Sequence, residues 1–256
     1  MSIRDIIRDG DLDGARTALI DAVRADPASA RDRLALAEVL IVLGDLVRAD
    51  THLDAAQNLD TSFALVVALG RQLIRAATWR NETFTAGRPP ELVTARTPAV
   101  DVALAVLLAA RSGANVAVDE PAPEESVVSG SIDDRPFSGW RDGDDRTAGV
   151  LEVLTSTGNY VWIPFEHVRS LRWLPVERLR DTVWRPAELE VADGPNGVVY
   201  LPVIYHAGSD QTPDQRLGRA TDWVEGEFVS GVGLRTWLIG DEAVSPGDFA
   251  QMTVTA

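Results

Sequence analysis

Apolar residues in the first 112 positions recur at the three- and four-residue intervals of an amphipathic α-helix. A short first helix carries Ile3, Ile6 and Ile7 on one face and ends at Gly10. The same spacing predicts helices over residues 12–25, 29–43, 46–59, about 61–83 and 99–111. Thr61-Ser62 is expected to cap the long fifth helix.

Within this helical part the sequence nearly repeats itself after 34 residues. Gly10–Ala15 returns as Gly44–Ala49, and Leu19 corresponds to Leu53 at the same offset. That period is typical of the tetratricopeptide (TPR) unit, a pair of antiparallel helices. Stacked pairs usually form a groove that holds a peptide or helix of a partner. Alternatively, the helices only pack on the rest of the chain, because two repeats are fewer than a free-standing array needs.

TPR geometry places the first, third and fifth helices along the groove and thereby nominates the residues that bind a partner. They combine an apolar centre with flanking polar and charged groups, which suits an amphipathic partner helix. The nominated residues are Ile7, Arg31, Leu34, Glu38, Ile41, Gln72 and Arg75. Leu34→Asp is expected to abolish partner binding while the fold stays intact. Loss of helical signal in that variant would instead place Leu34 in the core.

From Ala148 onward the apolar positions alternate with the period of two that β-strands require. Residues 150–154 and 160–164 flank a turn and predict a hairpin, and residues 188–192 and 198–205 predict a second one. Pro202 is expected to put its strand at a sheet edge or a bulge. Further strands are predicted over residues 227–230, 235–239 and 249–254, with one helical segment near residues 165–171. The predicted fold class is α+β, with TPR-like antiparallel helical repeats followed by a mainly antiparallel β domain.

A change of composition separates these two parts. Residues 119–146 hold nine acidic residues and three prolines, which is typical of a linker or an exposed loop. We therefore predict a TPR-like helical domain over residues 1–112, an acidic linker or loop over residues 113–146, and a mainly β domain over residues 147–256. Asp142–Asp145 resembles the start of a calcium loop, but the EF-hand spacing fails and a solvated turn is the better interpretation.

The composition excludes several kinds of chemistry. The net charge of -15 argues against nucleic acid as a partner. Cysteine is absent and every basic residue is Arg, which excludes disulfides, thiol nucleophiles and lysine-dependent phosphate or Schiff-base sites. No positively charged leader precedes an apolar segment, and the longest apolar run, residues 102–110, is too short to span a bilayer. A cytoplasmic protein with no membrane partner is expected.

The chain offers little conventional catalytic chemistry. His52, His167 and His206 are far apart and form no metal-binding motif, and no nucleophile-elbow motif is present. No catalytic residue, metal or cofactor is predicted, and the protein is expected not to be an enzyme.

Residues 216–223 are unusual because two Arg, one Asp and one Trp lie within eight positions. They predict either a recognition or anion site in which the Arg219 guanidinium is the bidentate donor, or an Arg–Asp pair packed under Trp223. The alternative function is therefore a small-ligand-binding protein or an enzyme, with a site in the β domain around Arg219 and Asp222 together with Glu166 and His167. An enclosed pocket that holds these four groups within hydrogen-bond reach would support this alternative, and separately paired groups would count against it.

Several segments, in the right order and over nearly the whole chain, carry a family resemblance. They are residues 23–27, 44–49 and 80–84 in the helical part, and 133–137, 151–154, 160–166, 179–187, 217–223 and 238–242 in the second half. These segments resemble ImpE, also called TagJ, a family of accessory proteins of bacterial type VI secretion systems. The residues that carry the motif most specifically are Trp162, Asp181, Trp184, Gly218, Arg219, Asp222 and Trp223.

The resemblance implies a non-enzymatic adaptor. In this family the helical repeats are thought to bind the N-terminal helix of TssB, the small subunit of the contractile sheath, and to link the sheath to the ATPase ClpV. The resemblance thus implies a protein partner, an amphipathic helix, for the groove nominated above.

Overall fold

The computed structural model describes residues 2–112 and 127–255. The helices of the N-terminal part are α1 (Ile3–Arg8), α2 (Leu12–Ala25), α3 (Ala30–Val42), α4 (Leu46–Leu59), α5 (Ala64–Ala86) and α6 (Pro98–Ser112). This agrees closely with the helical periodicity of the sequence. None of the helices in the described ranges combines the length and hydropathy that crossing a bilayer requires.

The two sequence repeats have the same local structure. Asp11 caps α2 by accepting a hydrogen bond from the Gly14 amide, and Asp45 caps α4 in the same way. Gly10 and Gly44 have φ angles of +85° and +82°, a left-handed conformation that glycine adopts without steric cost after a helix. The predicted cap of the fifth helix was wrong. Asp60 caps a short 3₁₀ turn at Thr61–Phe63, and α5 begins after that turn.

The second half is built on a nine-stranded sheet in the order β1-β6-β5-β9-β8-β7-β14-β2-β3. All neighbouring pairs in it are antiparallel except β1 with β6. The strands are β1 (Glu91–Leu92), β2 (Ser129–Ile132), β3 (Arg135–Ser138), β5 (Val150–Leu154), β6 (Tyr160–Pro164), β7 (Val168–Trp173), β8 (Trp184–Val191), β9 (Gly197–Pro202) and β14 (Gln251–Thr255). Both predicted hairpins, β5–β6 and β8–β9, are confirmed.

Two smaller sheets complete the β region of the described chain. One pairs β10 (Thr221–Val224) with β11 (Ser230–Gly233), and the other has the order β13-β12-β4, formed by Glu242–Val244, Trp237–Ile239 and Trp140–Asp142. A short helix, α7 (Pro213–Arg216), precedes β10.

Three expectations about the strands were wrong. Pro202 does not mark an edge, because β9 lies between β5 and β8, and Pro202 is the last residue of its strand. The helical segment expected near residues 165–171 is a single 3₁₀ turn, Phe165–His167, followed directly by β7. Residues 129–142 were expected to belong to a linker, but β2, β3 and β4 lie within them, and apolar side chains of these strands such as Ile132 and Trp140 are buried in the second core. Most of the rest of that proposed linker, residues 113–126, lies outside the described residues.

Two apolar cores hold the described structure together. The first joins the helices to one face of the sheet, since Leu36, Leu53 and Leu73 belong to the same cluster as Tyr160 and Trp162. The second lies within the β region, where aromatic rings stack, as those of Trp140 and Phe165 do at 3.9 Å between centroids. The division of the chain into domains stays a prediction. The first core shows that the helical part and the sheet pack directly against each other.

Candidate functional site

Three of the residues predicted to bind a partner are buried by the chain itself. Leu34, Glu38 and Ile41 have exposed fractions of 6%, 8% and 4%. Arg178, which follows β7, forms an ion pair with the Glu38 carboxylate, and Arg180 donates a hydrogen bond to the carbonyl of Val66 at 3.2 Å. In this structure the middle of the predicted groove is therefore covered by the chain's own β region and is not accessible to a partner.

The other four predicted partner-binding residues keep accessible surface. Ile7 is half-buried at the end of α1 and Arg31 is exposed at the start of α3. Gln72 and Arg75 line an open groove of about 600 Å³ along α4 and α5, which we call the α4–α5 groove. Gly158, in the β5–β6 turn, packs closely against α5, because a Cβ atom there would lie 2.5 Å from the Gln72 Oε1 atom.

Polar groups of the α4–α5 groove have unused hydrogen-bonding capacity. The buried Oε1 atom of Gln72 has no hydrogen-bond partner in the described structure. Within the same described ranges, the Arg75 guanidinium makes no hydrogen bond or ion pair, whereas its neighbour Arg71 pairs with both Asp50 and Asp54. In the described structure Arg75 is therefore the group of the groove that an acidic partner side chain could reach and pair with, whereas the Gln72 Oε1 atom is enclosed.

Beneath the sheet lies a network of buried charges that the sequence analysis missed. Arg80 of α5 donates to both carboxylate oxygens of Glu152 in β5, at 2.7 and 3.0 Å. Arg235 joins Glu152 to Asp142, and the Tyr160 hydroxyl donates to Glu152. The available signal was the charged Glu152 within the apolar run of residues 150–154, since a buried charge requires a partner.

The two carboxyl groups of this network respond differently to their surroundings. Burial opposes ionisation of Glu152, but the guanidinium groups of Arg80 and Arg235 hold its pKa well below the usual range. For Asp142 burial dominates and raises the pKa to about 6, although Arg235 acts in the opposite direction. Within the described structure each charged group of this network has an ion-pair partner and both carboxylates are enclosed, so we interpret it as a structural connection between α5 and the sheet.

Most family-motif residues are structural. The indole of Trp162 donates to the Tyr160 hydroxyl at 2.6 Å inside the core. Asp181 accepts hydrogen bonds from the amides of Glu177 and Arg178 and so shapes the turn before β8. Trp184 is buried beside the helices, and Gly218 takes a φ angle of +66° that glycine accommodates.

The remaining motif residues do not form the Arg–Asp pair that was one interpretation of residues 216–223. Arg219 lies 3.6 Å from Asp214 and donates to the carbonyl of Ile7, whereas Asp222 accepts from Gln215 at 2.6 Å. Trp223 is 42% exposed, so it does not cover a buried pair. Its ring contacts that of Tyr205 at 5.7 Å between centroids.

The four groups of the alternative site are also not joined. His167 contacts Thr94 through its Nδ1 atom at 2.8 Å, while Arg219 and Asp222 have the separate partners given above. Among the described residues, no hydrogen bond or ion pair links any two of Glu166, His167, Arg219 and Asp222. Over residues 2–112 and 127–255, no three His, Asp or Glu side chains are arranged to hold a metal ion.

Comparison with known proteins gives consistent matches. A family model described as ImpE protein matches residues 134–253. The type VI secretion system accessory component TagJ of Pseudomonas aeruginosa is 32% identical over 253 residues, covering 95% of this chain and 88% of that protein. The crystal structure of protein VPA1032 from Vibrio parahaemolyticus matches with a TM-score of 0.85 and 26% identity, covering 100% of this chain and 98% of that one.

Proposed function

The chain belongs to the ImpE family, also called TagJ, and on that basis we propose that it is an accessory component of a type VI secretion system that acts as a non-enzymatic adaptor. The observation that carries this proposal is the alignment with the Pseudomonas aeruginosa TagJ protein, because it extends over the helices as well as the sheet. The proposal places the protein in the cytoplasm, with a protein partner rather than nucleic acid or a membrane.

The proposed partner is TssB, the small subunit of the contractile sheath, whose N-terminal helix docks on the helical repeats. In this proposal the adaptor links the sheath to the ATPase ClpV. An amphipathic helix is a suitable occupant for a groove between helices, because its apolar face can be buried while its charged face meets polar groups.

Within the helical part, the α4–α5 groove supports docking better than the buried centre of the predicted surface. Arg75 is exposed there and, among the described residues, forms no hydrogen bond or ion pair, and Gln72 is half-buried beside it. By contrast, the chain itself encloses Leu34, Glu38 and Ile41. An acidic side chain of the partner helix would pair with Arg75. Arg31 of α3 and Ile7 of α1 stay proposed contacts of the same partner, outside the lining of the α4–α5 groove.

The test is a titration of the full-length protein against a fluorescent peptide that spans the first helix of the TssB of the same organism, followed by anisotropy. Saturable binding is expected, and Arg75→Glu should weaken it about tenfold or more, because the substitution replaces an attractive charge with a repulsive one. Arg24→Glu is the matched control. Arg24 is exposed on α2, outside the groove, and the substitution makes the same change of charge there.

Absence of saturable binding by the wild-type protein would reject TssB as the partner. Equal weakening by Arg75→Glu and Arg24→Glu would show that net charge, rather than the α4–α5 groove, controls the interaction.

A further inference from the structure

A second cavity lies between the helices and the sheet, on a different side from the α4–α5 groove. It has a volume of about 640 Å³ and is lined by the α3–α4 turn, α5 and the loop that follows β9. We call it the interface cavity. Its size falls within the range of pockets that bind small organic molecules.

The lining of the interface cavity has an unusual charge for this protein. Arg80, Arg146 and Arg216 line it, and none of the described residues that line it is Asp or Glu. The chain as a whole carries 39 acidic residues against 24 basic ones. Buried carboxylates behind the wall offset the charges of Arg80 and Arg146, so Arg216 leaves the lining with a net positive charge that suits an anion.

Two of these arginines are held in place and still have a free donor. Arg80 is anchored by Glu152, and Arg146 by Asp144 and the carbonyl of His206. In the described structure the Nη1 atoms of both guanidinium groups have no hydrogen-bond partner. Because the buried carboxylates fix both side chains, binding an anion there would cost little additional ordering of the protein.

The third arginine supplies a charge without a carboxylate partner. Arg216 donates to the carbonyls of Leu43 at 3.1 Å, Gln211 at 3.3 Å and Ser209. No carboxylate of the described residues lies within ion-pair distance of it. Its positive charge therefore contributes to the potential of the cavity without a local counter-charge.

The base of the cavity is aromatic and uncharged. His206 stacks on Phe84 with 4.5 Å between ring centroids, and the guanidinium carbons of Arg80 and Arg146 lie 5.4 and 5.2 Å from the Phe84 ring. Asn81, whose side chain makes no hydrogen bond in the described structure, stands at the wall beside Arg80. Fixed donors thus surround a flat apolar surface, an arrangement typical of pockets for small charged molecules.

From this arrangement we propose that the interface cavity binds a small oxyanion, either a phosphate or a carboxylate group of a metabolite, through the free guanidinium nitrogens of Arg80 and Arg146. This site is separate from the proposed TssB surface and from Arg219 and Asp222. A ligand there would touch both α5 and the loop after β9, so it would stabilise the contact between the helices and the sheet.

The experiment is calorimetric titration of the full-length protein with inorganic phosphate, and separately with citrate, in chloride buffers of equal ionic strength. Saturable binding of at least one of the two anions is expected, and the tighter one identifies the head group. Asn81→Asp should weaken that binding about tenfold or more, because its carboxylate would repel the anion and compete for the same donors.

Asn58→Asp is the matched control, since Asn58 is exposed on α4 and the substitution adds the same charge outside the cavity. It should leave the affinity within twofold of wild type. Arg146→Gln is a second variant that removes one donor, and its fold is checked by circular dichroism before titration. The proposal is overturned if neither anion binds saturably, if Asn58→Asp weakens binding as much as Asn81→Asp, or if a folded Arg146→Gln protein binds as tightly as wild type.

Discussion

The ion pair between Arg80 and Glu152 allows a quantitative test of how the helices are held to the sheet. Arg80 is 8% exposed and Glu152 is 2% exposed, and their contact joins α5 to β5. The substitution Arg80→Leu removes the cation and leaves a shorter, apolar side chain. Glu152 then remains buried with Arg235 and Tyr160 as its partners.

The expected loss of stability follows from the cost of an incompletely paired buried charge. Removing one partner of a buried ion pair typically costs about 3–5 kcal/mol. Because Arg235 and Tyr160 still contact Glu152, we expect the lower end of that range, about 3 kcal/mol. For a chain of this size such a loss lowers the midpoint of thermal unfolding by about 10 °C.

The assay is urea unfolding followed by tryptophan fluorescence, together with thermal unfolding followed by circular dichroism. Arg24→Leu is the control, because Arg24 forms an exposed ion pair with Asp21 and such pairs contribute at most about 1 kcal/mol. The interpretation fails if Arg80→Leu costs less than about 1 kcal/mol, or no more than the control does.

The pH dependence gives an independent check on the same pair. The folded-state pKa of Glu152 is depressed, so its contribution to stability is complete above its unfolded-state pKa of about 4.3 and is lost as the pH falls further. The stability difference between wild type and Arg80→Leu should therefore narrow when measured at about pH 3. A difference that stays constant between neutral and acidic pH would show that the charge of Glu152 does not stabilise the contact.

Two further substitutions test other parts of the structure. Leu34→Asp should destabilise the fold by at least about 3 kcal/mol, since it places a carboxylate in the first core. If the variant were as stable to urea as the wild type, Leu34 would instead lie on a surface accessible to a partner. Burial and the neighbouring Arg80 and Arg146 lower the folded-state pKa of His206 to about 4. As the pH falls, the unfolded chain therefore binds the proton first, and the folded state loses stability. His206→Phe should remove this loss of stability. Between pH 7.5 and pH 5.5 the free energy of unfolding of the wild type should fall by about 1 kcal/mol because of this residue. The variant keeps an aromatic ring to stack on Phe84 and should not show this decrease. Equal decreases in the two proteins, measured by thermal unfolding, would contradict the assignment.

Local sequence signals predicted much of the secondary structure. The helical spacing gave the ranges of α2 and α4, and the matching Gly10 and Gly44 marked the same left-handed helix end in both repeats. Alternation of apolar residues predicted the hairpins β5–β6 and β8–β9. These features depend on neighbours within a few positions, which is why periodicity and caps reveal them.

The location of a free binding surface could not be predicted in the same way. Leu34 and Ile41 are apolar whether a partner or the chain itself covers them, so helical periodicity cannot distinguish the two cases. Contacts of Arg178 and Arg180 with the helices show that the chain itself covers this surface. Both residues lie more than a hundred residues from α3 along the chain. A separation of 72 residues likewise hid the pairing of Arg80 with Glu152.

The sequence by itself determined the α+β class, the repeated helices, the main hairpins and the family resemblance, because each is encoded by residue types at short or regular spacing. Only the tertiary structure decided which inner helix residues are enclosed, which charges are paired, and where cavities remain. Those properties depend on contacts between segments distant in the chain. A buried charge such as Glu152, or Arg75, which is unpaired among the described residues, can be interpreted only once its surroundings are known. The folding of the β region onto α3 and α5 thus moves the proposed partner surface from the predicted groove centre to the α4–α5 groove.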